Sequence, residues 1–216
     1  VIHLRRPSAF SSVPETLSAG ALFSHTLDLA FVIPCRSGES ADTTINSLKQ
    51  QTIKGFKVVK VVDKDRKGAN WARNRGFEKV TTKYVLFSDN DIQWQPEALE
   101  ILLETLESHP GASYSYGAYE MGGKTQCNKE FDAERLLQTN YISTMSLIRR
   151  AAFPGFDERI QRLQDWDLWI TMLEQGKVGV YCGATVFSTK ERDGITRNGS
   201  MVWDEANKII KKKHNL

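Results

Sequence analysis

The chain has 216 residues, 40% of them hydrophobic and 25% charged, with a formal net charge of +3. These are globular values: there is enough apolar mass for a core, and a chain of this length fits one α/β domain. The positive balance is small and spread out, and no aromatic residues are interleaved with it, which argues against a nucleic-acid partner.

Cys35, Cys127 and Cys182 are odd in number and far apart, so neither a disulfide framework nor a zinc site is expected. That usage fits a reducing, cytoplasmic compartment. His3, His25, His109 and His214 are equally scattered. The longest apolar run, residues 27–34 with Asp28 inside it, is too short to cross a bilayer, and no secretory signal is legible. A start at Val1 rather than Met is what a piece of a longer protein would show.

Residues 1–26, rich in Ser and Pro, read as an irregular lead-in. Leu29 to Ile33 is a continuous apolar run stopped by Pro34, which suits a strand buried on both faces of a parallel sheet. A helix is predicted from Ser40 to Gln51, a strand from Lys57 to Val62, and a second helix from Ala69 to Val80, opened by Gly68. Tyr84 to Phe87 is the third strand. Pro96 fits the first turn of a helix with one stripe of Leu99, Leu102, Leu103 and Leu106. Tyr114 to Tyr119 reads as a strand, and helical stretches follow at Asp132 to Leu137 and Asp165 to Gln175. Strand–helix alternation through the first half predicts a Rossmann-like, mostly parallel sheet, with ligands at the carboxyl ends of its strands. Residues 27–121 are then expected to bind the ligand, 122–200 to form a less regular second half, and 201–216 a C-terminal helix and basic tail.

The third strand runs straight into Ser88-Asp89-Asn90-Asp91. Crowded carboxylates at a strand end need a cation or hydrogen-bond donors to receive them, and a turn there lets both converge on one ligand. Pro34, Asp63 and Asp89 all fall at such strand ends. A second cluster is Gln164-Asp165-Trp166-Asp167-Leu168-Trp169, where Asp165 opens a helix and is either an N-cap or a reactive carboxylate. Trp94, Tyr114, Tyr116 and Tyr119 read as core or as stacking surfaces for a sugar ring. Arg149-Arg150 reads as a solvated helix end, and Lys211–Lys213 as a disordered tail, with contact to an anionic membrane surface as its alternative.

Five elements occur in one order: Val32-Ile33-Pro34; Ser47-Leu48 with Gln51-Thr52; Ala72-Arg73-Asn74-Arg75-Gly76; Phe87-Ser88-Asp89-Asn90-Asp91; and Gln164-Asp165-Trp166-Asp167-Leu168. Together, over residues 28–198, they resemble the family-2 glycosyltransferases, inverting enzymes of GT-A fold that use nucleotide-sugar donors. The resemblance implies that Pro34, Cys35 and Arg36 line the nucleoside pocket, that Arg73 reaches the base or diphosphate, and that Asp89 and Asn90 meet the nucleotide sugar. It implies that Asp91, with Asp89, holds Mn²⁺ or Mg²⁺ against the donor diphosphate, and that Asp165 is the general base. Lys190 or Arg192 would lie near the leaving phosphates. The implied donor is a UDP-sugar and the acceptor a saccharide or other hydroxyl compound.

The chain also departs from that pattern. It goes directly from Val61-Val62-Asp63 through Lys64 to Gly68 into Ala69, without the further helix and strand that the family usually carries there. Asp63 is accordingly either the base-recognising carboxylate or a charged strand end. A non-catalytic nucleotide- or glycan-binding module on a shortened GT-A fold is the main alternative to an enzyme. A sugar nucleotidylyltransferase would need a Gly-rich basic loop after the first strand, and Pro34 to Gly38 is a poor version of one.

Overall fold

Leu29–Arg36 forms β1, and its side chains alternate between two hydrophobic clusters. Leu29, Phe31, Ile33 and Cys35 face one, while Ala30 and Val32 face the other. Period-two alternation into two cores is the signature of a central strand with helices on both sides. The structure is a computed structural model that describes residues 27–190 and 203–216. The expected lead-in over 1–26 and the expected phosphate contact Arg192 lie outside the described residues.

β2 (Lys57–Asp63) and β3 (Tyr84–Phe87) flank β1 in parallel, in registers that run Ala30↔Lys57 to Arg36↔Asp63 and Leu29↔Tyr84 to Val32↔Phe87. Pro34 does not stop β1. The Val32 carbonyl accepts the Ser88 N–H at 3.0 Å, so residues of that parity face β3. Pro34 faces the same way but lies past the last paired residue of β3, where its missing N–H breaks no ladder bond.

The remaining elements are α1 (Asp42–Lys49), α2 (Ala69–Phe77), β4 (Gln93–Trp94), α3 (Ala98–Ser108), β5 (Ala112–Met121), β6 (Lys124–Gln126), α4 (Ala133–Gln138), β7 (Leu147–Arg149), α5 (Gln164–Glu174), β8 (Val178–Thr189) and α6 (Trp203–Lys213). The sheet order is β2-β1-β3-β7-β5-β8-β4, with β6 on β5. Strands β1, β2, β3, β5 and β8 point one way and β7 runs against its neighbours, so the mostly parallel α/β fold is found. Among the described residues β2 closes one end of the sheet and leads directly into α2. Helix α2 lies close on β1: a Cβ at Gly76 would collide with Val32 Cγ1 and sit 3.1 Å from Val61 Cγ2.

The core reading of the aromatic residues is found, and two surface readings are corrected. Tyr114 and Tyr116 are fully buried and Trp94 is nearly so, while Tyr119 stacks on Phe187 at 4.8 Å. They are core rather than sugar platforms. Arg149 ends a strand and donates to the carbonyls of Ala112 and Leu106, and Arg150 donates to Val80. Open carbonyls at the end of α3 and the adjoining turns need donors, and this pair supplies them. Lys211–Lys213 are the last turn of α6 rather than a disordered tail, because Lys213 is drawn into ion pairs with Asp157 and Asp167. No helix among the described residues is long and apolar enough to cross a membrane.

Candidate active site

β3 is buried along its whole length, so the chain leaves the sheet only at Ser88. The turn that follows is clamped from α1. Thr44 Oγ1 donates to the Asp89 carbonyl at 2.7 Å and accepts the Ile92 N–H at 2.9 Å. Ser47 Oγ accepts the Trp94 N–H at 3.1 Å, and the Trp94 indole donates to Ser88 Oγ at 3.0 Å. Asn90 Nδ2 donates to the Ser40 carbonyl at 3.0 Å and to Glu39 Oε2 at 3.3 Å. With these bonds made, the backbone of the turn cannot rotate freely, which fixes where Asp89 and Asp91 leave the chain.

Arg73, buried in α2, reaches this turn. Its Nη2 lies 2.7 Å from Asp89 Oδ1, its Nη1 donates to Asn70 Oδ1 at 3.2 Å, and its guanidinium sits over the Phe156 ring at 5.4 Å. Its Nε is buried and has no hydrogen-bond partner among the described residues. The planar fork lets one guanidinium bond Asn70 and Asp89 at once.

Asp165 stands in the first turn of α5, half-buried, and its Oδ1 accepts the Trp166 N–H at 2.9 Å. Burial raises the Asp165 carboxyl above its ordinary value. The Trp166 amide, the Asn140 side chain and the charge of Arg73 pull the other way without overcoming it. Arg73 therefore bonds the strand-end carboxylate Asp89, and its charge is felt at the helix carboxylate Asp165. Asp165 is also felt at Cys127 and Tyr119. Both are pushed up to about 12, chiefly by burial, so neither ionises near neutrality.

The other expected residues fall as follows. Pro34 is half-buried beside the β3 end, Cys35 is buried with its thiol pushed up by desolvation, and Arg36 is exposed, its N–H bonded to Glu39 Oε2 at 2.9 Å. Asp63 is buried, and its two oxygens accept the Lys67 N–H at 3.0 Å and the Gly68 N–H at 2.7 Å. It folds the β2–α2 turn, in which Arg66 and Gly68 have positive φ. Lys190 follows β8, which pairs with β4 at Gln93↔Ser188.

Among the described residues no group of three or more His, Cys, Asp or Glu gathers as a metal cage. Asp89 and Asp91 offer hard oxygens, one of them already taken by Arg73. That donor set fits Mg²⁺ or Mn²⁺ only when phosphate oxygens and water complete the shell, as for an ion carried with a nucleotide.

Asn140 and Thr44 were not foreseen, and Ser47, quoted within one of the five elements, had no role assigned to it. Nothing in their spacing marks them, although a Ser and Thr one turn apart on α1 hint at a polar stripe. An open concavity of about 720 Å³, lined by Asn128 to Arg135, adjoins this half of the molecule. It is tied to α5 through the Trp166 indole, which donates to the Leu136 carbonyl at 2.6 Å.

A curled α/β sheet of this strand order, with acidic turn, buried arginine and helix-borne carboxylate at one edge, has the architecture of GT-A proteins. The model of the family "Glycosyl transferase family 2" matches residues 36–155, and the chain belongs to that family. It is 30% identical over 192 aligned residues to the amylovoran biosynthesis glycosyltransferase AmsB of Erwinia amylovora, covering 66% of this chain and 64% of that protein. An uncharacterized glycosyltransferase of Haemophilus influenzae is 26% identical, over 68% of this chain and 62% of its own. The chain thus spans less than two thirds of either relative. In fold it is similar to S. aureus TarS in complex with UDP-GlcNAc, with TM-score 0.70 and 17% identity, over 86% of this chain and 66% of that one. It is also similar to GalNAc-T7 with UDP, GalNAc and Mn²⁺, with TM-score 0.56 and 12% identity, over 78% and 45%.

Proposed function

We propose that this chain transfers a sugar from a nucleotide-diphosphate donor, a UDP-sugar, to a hydroxyl acceptor with inversion. The observation that carries the reading is Arg73, bonded to Asp89 at 2.7 Å and within electrostatic reach of Asp165. It joins the donor side and the base side of one cleft. TarS and GalNAc-T7, solved with UDP compounds, support the donor class.

Pro34, Cys35 and Arg36 form the wall for the nucleoside, at the carboxyl end of β1 where open α/β sheets take ligands. Asp89 and Asn90 hold the ribose and sugar, oriented by Arg73 and by the α1 clamp. Asp63, committed to the Lys67 and Gly68 amides, shapes the wall by holding its turn. Asp91 with Asp89 would hold Mn²⁺ or Mg²⁺, which when bound neutralises charge on the diphosphate. Lys190 adds a positive charge on the leaving side.

Asp165 accepts the proton of the acceptor hydroxyl as that oxygen bonds to the anomeric carbon. The bond from that carbon to the phosphate oxygen breaks, and its electron pair leaves with the nucleoside diphosphate. Burial suits Asp165 to this: a carboxylate whose proton affinity is raised is a stronger base, and such a group contributes about 10²–10⁴-fold. The 128–135 concavity beside α5 is where the acceptor enters.

The test is Asp165→Asn, assayed for UDP binding by calorimetry with Mn²⁺ and for sugar transfer. Retained binding with transfer lost supports the reading; undiminished transfer removes the base assignment. One observation favours a binding module instead: β2 closes the sheet where a further strand would widen the nucleotide wall. Binding of UDP without hydrolysis or transfer to any acceptor would establish that alternative.

A further inference from the structure

Asp165 lies in a helix turn whose N-cap position is an apolar residue. Leu163, just ahead of α5, has φ 57° and ψ 28°, a left-handed conformation that a branched apolar residue rarely adopts, and at the N-cap position it offers no side-chain acceptor, so Asp165 itself takes the Trp166 N–H. The turn is gripped two residues further on. Asp167 is 3% exposed, and its carboxylate meets Lys213 Nζ at 2.8 Å and His214 Nε2 at 2.9 Å, both from the end of α6. The other ring nitrogen of His214 lies 2.9 Å from Glu174 Oε1, at the far end of α5.

The same lysine reaches Asp157 Oδ2 at 3.1 Å, and Arg159 meets that oxygen at 2.8 Å. Asp157 begins the segment that leads into Leu163. Asn70 Nδ2 donates to the carbonyls of Asp157 and Ile160 at 2.9 and 2.8 Å, and Asn74 pairs with both backbone groups of Phe156 at 2.9 Å. Asn70 and Asn74 flank Arg73 on α2. One ionic knot thus ties the last turn of α6 to the helix start that carries Asp165, and to the segment braced by the Arg73 helix.

We propose that Asp167 is a positioning residue for the transfer reaction, held by Lys213 and His214 so that the first turn of α5 keeps Asp165 aimed at the acceptor. The proposal rests on Asp165 being the base. A buried carboxylate whose cation is removed is left uncompensated and must move or take up a proton, and misplacing a reacting group by about 1 Å costs on the order of 10²-fold in rate. The donor half of the cleft meets the knot segment through Asn70 and Asn74 of α2 rather than through the ionic groups of the knot, so donor binding is expected to change less than turnover.

The experiment compares the full chain with Lys213→Met, Lys213→Arg and Asp167→Asn, all assayed well below their melting temperatures. The readouts are kcat and KM for the UDP-sugar, and hydrogen exchange over residues 163–167. Lys213→Met is expected to lower kcat tenfold or more with donor KM within twofold, and to quicken exchange in 163–167 more than in α2. Lys213→Arg is expected to recover most of kcat. Lys213 is one-third exposed and its loss leaves Asp167 paired with His214, so that variant folds even where Asp167→Asn does not. An active parent whose Lys213→Met variant keeps its kcat overturns the proposal alone, as does exchange quickened equally everywhere. A parent inactive on every donor sinks the base assignment first and the proposal with it.

Discussion

Arg73 and Asp89 are joined at 2.7 Å by a bond in which the arginine is 3% exposed and the aspartate 42%. The buried partner is the fixed one: Asn70, Asp89 and the Phe156 ring hold its plane, and the outer carboxylate takes its orientation from it. Arg73→Lys keeps the charge but loses the fork, so it cannot hold Asn70 and Asp89 together. We expect UDP affinity to fall by about 10- to 100-fold, the scale of a lost charge-assisted hydrogen bond, with circular dichroism unchanged. Calorimetry measures it, and an unaltered Kd would place Arg73 outside the donor site.

Asp165 yields a pH prediction. Burial raises its carboxyl, and the reactive form is the ionised one. Activity is therefore lost as pH falls through a value above the ordinary carboxylate range of about 4, and is regained as pH rises through it. A kcat–pH profile with its acidic limb at or below that range would contradict the burial argument. Asp165→Asn should abolish the limb along with most of the rate, by ~10²–10⁴-fold.

Asp63 separates two roles by experiment. Its oxygens satisfy the Lys67 and Gly68 amides, so Asp63→Ala leaves two partly buried donors without their protein acceptor, at about 1 kcal/mol each. A melting temperature lower by several degrees, with UDP affinity close to that of the parent at low temperature, is the expected result. A protein that melts normally but binds UDP tenfold more weakly would show instead that Asp63 reads the base.

Removal of divalent ions tests Asp91. Chelation should weaken UDP binding, and added Mn²⁺ or Mg²⁺ should restore it in the parent but not in Asp91→Ala. Equal UDP affinity in chelator and in Mn²⁺ would remove the metal from the reading.

Gly76 tests how α2 is set. The collision of an added Cβ with Val32 predicts that Gly76→Ala costs about 1–3 kcal/mol and shifts the helix that carries Arg73. Thermal melting and UDP affinity should fall together; a variant as stable as the parent would show that the sheet yields.

Much of this was legible from residue order. The apolar runs of β1 and β3, the Leu stripe of α3 and the acidic turn after Phe87 are local patterns, each written within a dozen residues, and they are found where expected. The Asp165 cluster was equally visible, though whether its aspartate capped a helix or faced a cleft was not. Pro34 shows the limit in a single residue. A proline ordinarily ends a strand, and only the shorter length of β3 makes it harmless inside β1.

By itself the sequence determined the alternation of strands and helices and the carboxylates at their ends, because burial periodicity and strand-end chemistry act between near neighbours. The tertiary structure alone decided that Arg73 bonds Asp89 and acts on the charge of Asp165, and that Lys213 and His214 close on Asp167. Those pairings join residues 16 to 92 positions apart, and which of many charges meet across such spans is settled by how the sheet curls and the helices dock, not by local pattern.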